Sequence, residues 1–83
     1  MKFLRMRPGF GEQLIAEGDV DVAEEEQALI EEFRRQLDQG MWAAVPTARN
    51  DGRREAEMVH AFGEIPRDTG RVIFFPRAAG GAV

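Results

Sequence analysis

An α+β fold, a mixed sheet of four to five strands packed on one helix, is what this chain predicts. Three observations carry the expectation. One long amphipathic helical stretch lies between short β-forming segments. Turn residues stand at the junctions between segments. The chain closes on an apolar β-forming run, Val72, Ile73, Phe74 and Phe75, followed by Pro76. A helix with one apolar stripe needs one sheet face to cover it.

Each element follows from its residues. Residues 2–7 alternate weakly, with Phe3, Arg5 and Arg7 on one side and Leu4 and Met6 on the other, which suits a short first strand. Pro8-Gly9-Phe10-Gly11 reads as a turn. It lacks the lysine and the strand–helix setting of a phosphate-binding loop. Residues 12–16 are either a second strand or a helical turn, because the segment is too short for periodicity to decide. Gly18 and Asp19 break it. A helix is predicted over 22–39. Asp21 is its expected N-cap, with Glu24 at capping-box spacing. Acids crowd the first turns, where the helix dipole favours them. Leu29, Ile30, Phe33 and Leu37 form one apolar stripe. Gly40 supplies the left-handed stop.

Residues 41–45 read as a strand ended by Pro46. Arg49-Asn50-Asp51-Gly52 is a strong turn signal, and 55–62 alternates beyond it, so the two strands make a hairpin. Residues 63–70 are a loop with room for a single tight helical turn, and 71–75 are the final strand. This order is that of the β-grasp fold, and other small α+β sandwiches share it.

Composition narrows the function. Eighty-three residues make one domain with one modest core. Residues 1–77 are the expected folded body, and 78–83 a flexible tail of small side chains. The absence of cysteine removes disulfides, thiolate metal sites and thiol nucleophiles. A single histidine, His60, leaves little scope for metal binding or for a nucleophile with its base, so no enzyme is expected. The net charge of −4 argues against nucleic-acid binding. No apolar stretch approaches a membrane span, and no apolar run follows the basic first residues, so a cytoplasmic protein is expected. Charge is uneven: eight acids lie in 19–38 against Arg34 and Arg35, while 71–83 holds Arg71 and Arg77 and no acid.

Individual residues have structural readings first. Glu24, Glu25, Glu26, Glu31 and Glu32 are expected on a solvated helix face, because a calcium loop would need a different spacing and a glycine. Trp42 is expected to anchor the core or its edge. His60 falls in the alternating set of Met58 and Phe62 and is expected to be packed and hydrogen-bonded. Phe74 and Phe75 point to opposite sides of a strand, so one is core and the other belongs to a second apolar patch or a partner surface. Arg49, Arg53 and Arg54 solubilise the hairpin tip.

The ending carries a resemblance. Val72-Ile73-Phe74-Phe75-Pro76 with Ala78-Ala79-Gly80-Gly81 resembles the close of the small, sulfur-carrying subunit of molybdopterin synthase. Trp42-Ala43-Ala44-Val45 is similar to that family's third strand, and Phe62-Gly63-Glu64-Ile65-Pro66 to the loop before its last. The likeness covers roughly 41–81 and extends to ubiquitin-like proteins and thiamine-pathway sulfur carriers. It implies a carrier with no bound cofactor. An activating partner enzyme uses ATP to adenylate the carboxylate of Gly81, which then becomes a thiocarboxylate or is passed to an amine of an acceptor protein. Gly80 and Gly81 are the tail that enters the partner, since residues without Cβ atoms pass through a narrow channel. Phe75, Pro76, Arg77, Ala78 and Ala79 are the implied partner-binding segment. Ala82 and Val83 follow Gly81, so a processing peptidase is implied too. The alternative is a noncovalent interaction module, or a small subunit or assembly factor of a larger complex. Such a module docks by the open side of its sheet and its acidic helix.

Overall fold

A computed structural model describes residues 1–47 and 55–77 of the chain. Strands β1 (Lys2–Arg7) and β2 (Gly11–Glu17) precede the helix α1 (Ala23–Asp38). Strands β3 (Met41–Thr47) and β4 (Glu55–Val59), a 3₁₀ turn at Phe62–Glu64 and strand β5 (Arg71–Pro76) complete the order. The strands make one sheet in the order β2-β1-β5-β3-β4. β1 and β5 run parallel, and every other neighbouring pair is antiparallel. The α+β class is therefore as the sequence predicts, with five strands. The hairpin tip, including Arg49, Arg53 and Arg54, lies outside the described residues, as does the tail 78–83.

The first hairpin turns where predicted. Gly9 has φ +82°, and the Phe10 N–H donates to the Arg7 carbonyl at 2.9 Å. The segment that periodicity left open is a strand, because it pairs along the edge of β1. Its register slips once: Phe3 faces Ala16, but Leu4 faces Leu14, which leaves Ile15 as an extra residue. Such a bulge inverts the alternation of the strand. Ala16 therefore shares a face with Phe3, and Leu14 shares the other with Leu4.

The start of α1 differs from the expectation. Its N-cap is Val22, with no side-chain cap, and Asp21 does not cap. The chain is instead bonded just upstream. Glu25 accepts the Asp19 N–H at 2.7 Å, and the Asp19 carboxylate accepts the Asp21 N–H at 2.8 Å. The Asp21 carboxylate meets Arg67, which also bonds Glu26 at 3.0 Å and the Val20 carbonyl at 2.8 Å. Donation to the Asp21 and then the Glu26 carboxylate raises the Arg67 guanidinium above its already high ordinary pKa. One arginine thus ties the loop before β5 to the beginning of α1. At the other end Gly40 takes φ +87°, and its N–H donates to the Leu37 carbonyl, so the predicted stop holds.

α1 covers one sheet face. Leu29 and Phe33 bury fully, while Ile30 and Leu37 flank them half-buried. Phe3, Phe33 and Phe74 form an edge-to-face cluster with centroids 5.1–6.4 Å apart. Val72, Met41, Ala43, Val45 and Val59 close the layer around them.

Two further expectations are corrected. Pro46 does not end its strand: it lies within β3, opposite Ala56 of β4. Pairing of β3 with β5 runs only from Met41 to Ala44, and a proline is tolerated where one flank of a strand is unpaired. His60 is not packed: it is exposed, just past the end of β4, and its backbone N–H donates to the Glu64 carboxylate at 2.7 Å. The face of β4 that enters the core is that of Val59, not that of Met58 and His60.

Candidate interaction face and the root of the tail

Among the described residues no helix covers the face of the sheet away from α1. Alternation sends Leu4 and Met6 of β1 there, since Phe3 points inward. In β5 the buried set is Val72 and Phe74, so Ile73 and Phe75 face outward, each half-buried. In β3, Met41, Ala43 and Val45 belong to the core cluster, so alternation turns Trp42 and Ala44 to the other face, where Trp42 is exposed and the small Ala44 is itself buried. The bulge delivers Leu14 from β2, and Met58 comes from β4.

Register aligns these residues. Leu14 stands opposite Leu4, Leu4 beside Ile73, Ile73 opposite Ala44, and Ala44 opposite Met58. One continuous apolar row therefore crosses all five strands. Beside it Trp42 faces Phe75, with ring centroids 6.0 Å apart in edge-to-face contact. Leu14, Trp42, Met6 and Met58 remain between 37% and 50% exposed. Scattered exposed apolar residues are ordinary, but an aligned patch marks a contact surface. Trp42 therefore belongs to this face rather than to the core. The helix faces the opposite way, with Glu24, Glu25 and Glu31 exposed.

The implied partner-binding segment begins here. Phe75 is the half-buried partner of Trp42, while Pro76 and Arg77 are exposed. Pro76 pairs with Met41 at the end of β5, and the Arg77 N–H donates to the Gly40 carbonyl at 3.3 Å. The chain thus leaves the sheet beside the C-terminal end of α1, from a strand that β1 pairs as far as Phe74 and β3 pairs to Pro76. Ala78, Ala79, Gly80 and Gly81 lie outside the described residues, so the structure does not place the implied acyl-bearing end.

Among the described residues no group of three or more His, Asp or Glu side chains is arranged to hold a metal ion. No described helix is long and apolar enough to cross a membrane. The cross-strand row is not evident from any single segment of the sequence. Its signal was present as alternation, but assigning the row needed the bulge at Ile15 and the strand order.

No family model matches the chain, and neither the curated proteins nor the solved structures hold a match to it.

Proposed function

We propose that this chain is a β-grasp carrier of the ubiquitin-like or sulfur-carrier type. It docks by the open face of its sheet and offers Gly81 to an adenylating enzyme. The observation that carries the reading is the place of β5. It is the last strand, it lies between β1 and β3, and the Trp42–Phe75 pair stands at the root of the tail. A strand with neighbours on both sides is a firm base from which to extend a tail.

The chemistry is simple. A peptidase hydrolyses the bond after Gly81 and releases Ala82-Val83. The free carboxylate attacks the α-phosphorus of ATP, giving an acyl-adenylate and pyrophosphate. A sulfide donor or an acceptor amine then displaces AMP, leaving a thiocarboxylate or an amide. In this reading the protein is a substrate of its partners, acts in the cytoplasm and needs no bound cofactor. The test is the intact mass of the protein from its native host, taken without reductant. Loss of Ala82-Val83, with or without exchange of one oxygen for sulfur, is the expected result. A chain that keeps Val83, together with full function of Gly81→Ala, refutes it.

A second reading has its own support. The apolar row reaches Leu14 and Met58 on the two edge strands, beyond the central strand β5 from which the tail follows. A face of that breadth suits a noncovalent interaction module or a small subunit of a larger complex. A partner complex that survives deletion of 79–83 favours this reading.

A further inference from the structure

Two arginines of the described chain stand in ion pairs. Arg67 has Asp21 and Glu26, and Arg35 has Glu32. Arg5 and Arg7 differ. Arg5 donates to the amide oxygens of Gln39 at 2.9 Å and Gln36 at 3.3 Å, and Arg7 to that of Gln13 at 2.9 Å. No carboxylate among the described residues lies within ion-pair distance of either. Glu12 shares a neighbouring hollow with Arg7 but makes no ion pair with it.

Neutral amides therefore orient two full positive charges without cancelling them. Gln36 is buried, only 4% exposed, so it is a rigid seat for Arg5. Its own amide nitrogen is held by Glu32 at 2.7 Å. In each arginine these bonds use one terminal nitrogen, which leaves donors on the rest of the guanidinium fork. Such a fork is matched to a carboxylate or phosphate. Both arginines line a cleft of about 530 Å³, whose other walls include Ile15, Met41 and Pro76. Pro76 makes this cleft adjacent to the root of the tail.

We propose that this cleft binds an acidic segment of the docking partner, with one or two Asp or Glu carboxylates beside apolar side chains. The two unneutralised cations select the carboxylates. The apolar walls select a peptide over a free inorganic anion, which gains nothing from Ile15, Met41 and Pro76. Only the identity of the partner rests on the docking function proposed above; the site itself is testable on the isolated chain.

The test follows the side-chain Nε–Hε signals of the full-length ¹⁵N-labelled protein by NMR at constant ionic strength. The probes are a capped Glu-Leu-Glu-Leu-Glu peptide, its Gln counterpart and inorganic phosphate. The expected result is a saturable shift of the Arg5 and Arg7 signals with the Glu peptide and binding about fivefold or more weaker for the Gln peptide. Arg7→Gln, an exposed change that spares the fold, weakens the Glu peptide by a similar factor. Arg71→Gln, at the opposite end of β5, leaves it unchanged. Shifts that grow linearly and appear equally at Arg71 overturn the proposal. Phosphate that saturates the signals as tightly as the Glu peptide overturns it as well, in favour of a free oxyanion. Neither result bears on whether Ala82-Val83 is removed, so failure here and failure of the carrier reading are separate observations.

Discussion

The two faces of this sheet are built from nearly the same kinds of side chain and meet different fates. Phe74 and Phe75 are adjacent in β5 and chemically identical. Phe74 is fully buried among Phe3 and Phe33, whereas Phe75 is half-buried and its ring meets that of Trp42. Val59 and Met58 repeat the contrast in β4, at 4% and 37% exposure. Apolar alternation therefore does not identify the core. The core is the face that α1 covers, and the other apolar face keeps Leu14, Trp42, Met6 and Met58 partly exposed.

The contrast is broken most severely by charging the closed face. Val59→Lys places an unpaired cation in the apolar layer and is expected to abolish cooperative folding, seen as loss of the urea transition. Met58→Lys, one residue away, is expected to leave stability within about 0.5 kcal/mol. Equal damage from both would show that the open face is covered in the isolated protein.

Truncating the two phenylalanines sharpens the same point. Phe74→Ala should cost about 3–5 kcal/mol in urea unfolding, because it leaves a cavity inside a three-ring cluster. Phe75→Ala removes partly exposed surface and should cost about 1 kcal/mol. Its larger effect is expected on partner binding, where half-exposed aromatic pairs act as anchors.

Trp42 is the single tryptophan, which makes the open face directly observable. Its fluorescence should be quenched by acrylamide in the free protein and protected, with a blue shift, when a partner occupies the sheet. Protection in the free monomer would contradict an open face.

Smaller effects come from the ends of α1, the element that makes the faces unequal. Gly40→Ala forces a side chain into φ +87° and should cost about 1 kcal/mol in the same unfolding experiment. Arg67→Ala should give the smallest loss in thermal midpoint of the set, and the loss should shrink in high salt, because its ion pairs are solvent-exposed.

Much of this could be read from local signals. The helix was legible because its apolar stripe, its acidic first turns and Gly40 all act within a few residues of one another. β1, β5 and the Gly9 turn were legible for the same reason. One of Phe74 and Phe75 was expected in the core and the other on a second patch or partner surface; Phe74 is the core residue, and Phe75 lies on the open face. Pro76 and Arg77 are exposed at the root of the tail. The rest depended on contacts distant in the chain. Asp21 looked like a cap until Arg67, remote in sequence, took its carboxylate. Pro46 looked like a stop, but whether it ends a strand depends on how far β5 runs beside it. Residues 12–16 became a strand because β1 supplied an edge for them to pair with.

Local residue patterns set α1 and every strand except β2, because helix periodicity, β-branched and aromatic content, and turn glycines are short-range properties. Tertiary structure alone decided the strand order, the side of the sheet that α1 covers and the alignment of Leu14, Leu4, Ile73, Ala44 and Met58 into one row. It also brought Arg5 and Arg7 to three glutamines instead of to acids. Those outcomes depend on register and on partners far apart in the chain, and no local window of residues encodes them.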